Sequence, residues 1–136
     1  MSSTLRILAA LACALANASA MACGYCIEDR VAAVYDRSVV DGALARKHHA
    51  AFLGIEGGIV DAEVVRAARV ALEGVRGVDK RGMRTRAENA AIAVTFDPAV
   101  VSVDRLVSAA NKALARRGIA LAALRVIDES GRLREP

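Results

Sequence analysis

The chain of 136 residues has no tryptophan, two tyrosines and two phenylalanines. Aromatic rings are the platforms on which unpaired bases stack, so their scarcity argues against a stacking-type binder of single-stranded RNA or DNA. An excess of one charge sign is also small. The formal net charge is +4, too mild an excess to argue for nucleic acid of any kind. No apolar run approaches the ~20 residues that a membrane-spanning helix needs. Histidine occurs only at His48 and His49. No serine sits in a nucleophile elbow and no carboxylates pair in an apolar setting, so the chain reads as a non-enzyme. Gly54, Gly57 and Gly58 are not followed by Gly-Lys-Ser/Thr, which excludes a phosphate-binding loop.

Hydrophobic residues make up 55% of the chain and charged residues 25%. This is the balance of a packed globular unit, not of a disordered one, and the length suits a single domain. Met1 to Arg6 is a short polar start with one positive charge. Ile7 to Ala16 is apolar and uncharged, and Asn17 to Ala20 ends in Ala18-Ser19-Ala20. That is the three-part layout of a secretory signal peptide over residues 1–20. The expected location is therefore periplasmic or secreted, in a bacterium, with no membrane span left after signal cleavage. A cut after Ala22 is an alternative site. Cys13 leaves with the signal under either cut.

Cys23 and Cys26 remain, spaced Cys-Gly-Tyr-Cys. In an oxidising compartment such a pair is a metal site, a disulfide or a redox couple. Two thiolates three residues apart can hold one soft ion, and Cu(I) favours two sulfurs in near-linear geometry. Two ligands are too few for a closed structural zinc site. The redox reading has the right spacing, but such enzymes set a proline opposite the cysteines. Here the two prolines are Pro98 and Pro136.

Residues 21–47 read as a helical segment carrying the cysteines, with Ile27, Val31, Val34 and Tyr35 on one face. Whether it is one bent helix or two is open. Asp41-Gly42 is a candidate break, and Ser38 a candidate cap for a second helix running to Arg46. His49 to Ile55 reads as a strand, with Gly54, Gly57 and Gly58 marking the loop after it. Asp61 caps a helix through Val75. Val78 to Arg86 is weakly strand-like and charged, as an edge strand should be. Glu88-Asn89 makes a turn. Ala90, Ile92, Val94 and Phe96 alternate along the clearest strand. Ser102 caps the next helix, Val101 staples onto Leu106, and Gly118 ends the helix in a left-handed cap. Ile119 to Ile127 is the last strand, and residues 128–136 are expected to be a flexible tail. The expected fold is α+β, a ferredoxin-like βαββαβ sandwich over residues 48–127 preceded by an extra N-terminal helix.

Residues 49–127 resemble a heavy-metal-associated domain, the fold of small copper chaperones. The resemblance rests on Ala71-Leu72 and Gly77-Val78, on Ala91 to Asp97, on Val103 to Ala115, and on Gly118 before the last strand. In that family the loop after the first strand carries Gly-Met-x-Cys-x-x-Cys. Here it is Gly54-Ile55-Glu56-Gly57-Gly58-Ile59-Val60, without sulfur. Met21-Ala22-Cys23-Gly24-Tyr25-Cys26 matches the motif instead, upstream of the fold.

If residues 24–46 pack antiparallel to the first strand, about twenty helical residues span roughly 30 Å. Cys23 and Cys26 then return to the end of the sheet bearing Gly54 to Gly58. The expected metal ligands are Cys23 and Cys26, for Cu(I) or another soft, thiophilic ion. The expected partner is a protein that exchanges the metal. The alternatives are an interaction module with a structural disulfide and a small thiol–disulfide redox protein. His48 and His49 point to opposite faces of a strand start and share no ion. Met83 is expected at edge-strand packing, and Arg81, Arg84 and Arg86 at a solvated face.

Overall fold

The computed structural model describes residues 26–136. The expected signal segment and Cys23 lie outside them. The helices are α1 (Ile27–Val34), α2 (Arg37–Ala45), α3 (Ala62–Glu73) and α4 (Val103–Leu114), the last continued by a 3-10 turn at Ala115–Arg117. The strands are β1 (His49–Glu56), β2 (Arg84–Arg86), β3 (Ala91–Phe96), β4 (Ala120–Ile127) and β5 (Leu133–Arg134). They form one antiparallel sheet in the order β2-β3-β1-β4-β5. From β1 to β4 this is the ferredoxin-like βαββαβ sandwich expected from the sequence.

Local signals place the second half. The Asp61 side chain accepts from the Val64 amide at the start of α3, and the Ser102 hydroxyl from the Arg105 amide at the start of α4. Val101 and Leu106 are both buried in the same core, as a hydrophobic staple requires. Gly118 has φ 66° and ends the helical run in the left-handed region.

The amino-terminal segment is two helices, not one. Tyr35 and Asp36 are extended, and the Asp36 carboxylate accepts from the Ser38 and Val39 amides to start α2. Asp36, not Ser38, is therefore the cap. The candidate break at Asp41-Gly42 lies inside α2. A lone glycine within a helix costs only about 1 kcal/mol against alanine, which the packing of Val40 and Ala43 offsets.

Two cores result, one on each face of the sheet. Leu53, Ile55, Leu72, Ile92, Val94, Phe96 and Leu106 pack between the sheet and α3–α4. Val31, Val34, Val40, Phe52, Ala93 and Leu124 pack between the sheet and α1–α2. This explains β3. The alternation of Ile92, Val94 and Phe96 signals one buried face, yet all six residues are buried. The intervening Ala91, Ala93 and Thr95 face inward too, because α1 and α2 cover them.

Four further expectations change. Gly54 belongs to β1 rather than to a loop. Val78–Arg86 is not one strand: Val78 makes an isolated bridge to Phe96, and pairing resumes only at β2. The cause is a tight turn at Asp79–Gly82, held by the Gly82 amide on the Asp79 carbonyl and the Asp79 amide on the Thr95 carbonyl. Met83 belongs to the α3–α4 core. Residues 128–136, expected as a flexible tail, carry β5, which pairs Val126 with Arg134 and Ile127 with Leu133. The Asp128 carboxylate nucleates that hairpin by accepting from Ser130 and Arg132 amides.

Candidate metal centre

Cys26 is the N-cap of α1. Its half-buried sulfur accepts from the Asp29 amide at 3.4 Å. Backbone N–H groups at a helix start carry partial positive charge, so this amide favours electron density on the sulfur. Glu28 and Asp29 work against that, but Glu28 is engaged by Arg125 of β4 at 2.9 Å.

α1 runs antiparallel to β1. The Arg30 Nη2 donates to the Ile55 carbonyl at 3.3 Å and to the Ala90 carbonyl at 2.7 Å. One helix end later, Tyr35 stacks on Phe52, with ring centroids 6.2 Å apart. The amino end of α1 therefore points to the Glu56–Gly58 end of the sheet, and Cys26 lies one turn beyond Arg30, whose amide bonds to the Cys26 carbonyl at 3.1 Å.

The loop after β1 has no sulfur, and its shape depends on glycine. Gly57 and Gly58 have φ of 100° and 85°. A Cβ on Gly57 would overlap the Gly118 carbonyl oxygen. Ile59 is 89% exposed. Between this loop and α1 lies a hollow of about 390 Å³ lined by Arg30, Ile55, Gly58, Ile59, Val60 and Ala90. Glu56, the last residue of β1, is exposed.

Arg30 is the residue that sequence reasoning passed over. It reads as one charge on an amphipathic helix, yet it is 9% exposed and roofed onto the sheet. A Cβ built on Gly54 would lie 2.6 Å from the Arg30 Cζ. Gly54 is bare so that the guanidinium can lie on β1. A glycine inside an apolar strand is the signal for such an approach. Arg84 was likewise expected in solvent and instead donates to Asp36 at 2.7 Å, tying the α1–α2 junction to β2. The Ser38 hydroxyl and Arg84 together lower the Asp36 carboxyl to about 2.

The histidines serve separate carboxylates. His48 Nδ1 is 2.8 Å from Asp79, which also accepts from the Thr95 hydroxyl and from Arg46. Burial pushes the Asp79 carboxyl up, but these three partners outweigh it and the net direction is down. His49 bonds to Glu129 and sets its ring edge against Phe96. Both histidines sit at the start of β1, at the opposite end of the sheet from Cys26. Among the described residues no group of three or more His, Cys, Asp or Glu could hold a metal ion, and no helix is long and apolar enough to cross a membrane.

No protein-family model matches the chain, and no curated protein does. Solved structures are similar to part of it. A copper binding domain from HMA7, a P-type ATPase, is 22% identical over 56% of this chain and 93% of its own, with a TM-score of 0.47. Oxidized MerP from Ralstonia metallidurans CH34 is 26% identical over 56% and 96%, with a TM-score of 0.45. The N-terminal domain of a potential copper-translocating P-type ATPase from Bacillus subtilis is 22% identical over 56% and 86%, with a TM-score of 0.46. The chain's own topology from β1 to β4 is the ferredoxin-like βαββαβ sandwich, here with two helices laid across the sheet and the loop after β1 free of sulfur.

Proposed function

We propose that this chain is an exported carrier of a soft metal ion, Cu(I) first, held by the thiolates of Cys23 and Cys26 and passed to a partner protein by thiolate exchange. One observation carries the reading. α1 runs antiparallel to β1, with Arg30 on the Ile55 and Ala90 carbonyls, so Cys26 stands at the end of the sheet where the loop lacks sulfur. The chemistry agrees. Two cysteines at this spacing supply a two-coordinate site, and a Cu(I) bis-thiolate carries net negative charge. The Asp29 amide at the Cys26 sulfur and the Arg30 guanidinium one turn on are suited to that charge. In transfer, Cys23 is the outer ligand that a partner thiolate displaces first, and Cys26, fixed as the helix cap, releases last. Each step exchanges one copper–sulfur bond for another, with no change of oxidation state.

The test is an anaerobic Cu(I) titration of the reduced chain against a competing chelator, with the Cys23→Ser, Cys26→Ser double variant as control. Binding of one ion per chain that the variant loses supports the carrier. Binding no tighter than the variant's removes the metal reading and leaves a disulfide-held interaction module. Export is tested separately, by whether the protein recovered outside the cytoplasm starts after Ala20.

A further inference from the structure

The helical face opposite α1 and α2 has a feature that metal carriage does not use. A groove of about 700 Å³ runs between α3 and α4. Small apolar residues line it, with Ala67 and Ala71 half-buried and Ala109 and Ala113 exposed, and Val70 stands among them 62% exposed. An isolated exposed valine needs no explanation, but one set in an apolar trough between two helices does. The rim is basic. Arg66 and Arg117 share Glu63 at one end, and Arg76 stands at the other with no ion pair among the described residues. Along residues 62–76 and 103–117 there are seven Arg or Lys against three Asp or Glu. Of these, Arg66, Arg76 and Arg117 line the groove, against Glu63 alone.

We propose that the α3–α4 groove docks an acidic amphipathic helix of a partner protein, its apolar side on Val70 and its carboxylates on Arg66, Arg76 and Arg117. The shape is that of a helix-in-groove site, and the rim sets the sign of the guest. A second copy of the chain is the wrong guest, since it would bring like charges face to face. A lipid surface is also a poor fit, because the groove lining carries no aromatic anchor. The groove starts at the Glu63–Arg117 end, next to the Gly57–Gly118 contact. A helix lying in it would have one end near the Cys26 end of the molecule. The proposal does not rest on the metal reading.

The probe is a synthetic helix with leucine on one face and glutamate on the other. It is titrated into the full isotope-labelled chain by NMR, beside a lysine-for-glutamate version and anionic lipid vesicles. The expected result is chemical-shift change centred on Val70, Ala109 and Ala113 with the acidic helix alone. Affinity should fall at least about tenfold on Val70→Glu or Arg76→Glu, and should weaken as salt screens the rim. The Cys23→Ser, Cys26→Ser variant should bind the helix unchanged, which separates this proposal from the copper titration. Equal binding of acidic and basic helices overturns it. So do shifts elsewhere on the surface, vesicle binding without helix binding, self-association through the groove, or Val70→Glu binding as well as wild type. Retained wild-type spectra for the two surface variants, whose sites are exposed, show that loss of binding is not loss of fold.

Discussion

Gly54→Ala is the most informative single change, because two effects of opposite sign meet at one atom. Gly54 is extended strand, so alanine is sterically acceptable to the backbone there. By itself the change should stabilise by about 0.4–1 kcal/mol, through reduced freedom of the unfolded chain. The new methyl, however, would lie 2.6 Å from the Arg30 Cζ. The guanidinium must leave the Ala90 and Ile55 carbonyls, at 2.7 and 3.3 Å. A hydrogen bond from a charged donor is worth about 1.5–3 kcal/mol net. Counting the long bond at the low end or below, the loss is about 2–4 kcal/mol. The expected net destabilisation is about 1–3 kcal/mol. Urea unfolding of wild type, Gly54→Ala, Arg30→Ala and the double variant forms a cycle. Once Arg30 is gone, Gly54→Ala should be neutral or stabilising, so the coupling should exceed about 1 kcal/mol. If Gly54→Ala stabilises the chain that still has Arg30, the guanidinium does not lie on β1 as described. The placement of Cys26 would then lose its physical basis.

Other outcomes follow from named contacts. Asp36 is held at about 2, against an ordinary 3.8, chiefly by the Ser38 hydroxyl and then by Arg84. A depressed carboxyl stabilises above its unfolded value and loses that contribution as pH falls through its folded one. The difference in urea midpoint between wild type and Asp36→Ala should therefore be constant above pH 3.8 and shrink as pH falls toward 2. A difference that stays flat down to pH 2 would contradict the bonds assigned to Asp36. In the loop after β1, Gly57→Ala should cost more stability than Gly58→Ala. Both glycines have positive φ, and a Cβ meets the Gly118 carbonyl only at Gly57. Each substitution carries backbone strain of about 1–3 kcal/mol, and the overlap adds to it at Gly57 alone. Thermal melts of the two variants decide this, and equal losses would refute the close Gly57–Gly118 approach.

Much of the chain is written in local chemistry. Asp61, Ser102 and Gly118 begin or end their helices through contacts within a few residues, and those positions are legible in the sequence for that reason. Alternation in Ile92, Val94 and Phe96 marks β3, and the run Ala50–Ile55 marks β1. The order of elements from His49 to Ile127 then leaves few topologies, since short loops and right-handed crossovers exclude most others. The Cys-x-x-Cys spacing belongs to the same category.

What the linear chain leaves open is decided by groups far apart in it. Arg30 reaches the Ala90 carbonyl across 60 residues, Arg84 reaches Asp36 across 48, and Arg125 reaches Glu28 across 97. As sequence, each is one more surface cation. Together they fold α1 and α2 over the sheet, bury the second face of β3, and orient α1 so that its cap is at the Gly57 end. The helix break shows the same division. Asp36 can cap a helix anywhere, but it does so between Tyr35 and Arg37 where Arg84 and the Tyr35–Phe52 stack hold the junction against the sheet. Local hydrogen-bonding and periodicity determine which elements exist and in what order. The meeting of side chains separated by dozens of residues determines which end of the sheet Cys26 occupies, because only the folded chain brings those charges and carbonyls within bonding distance.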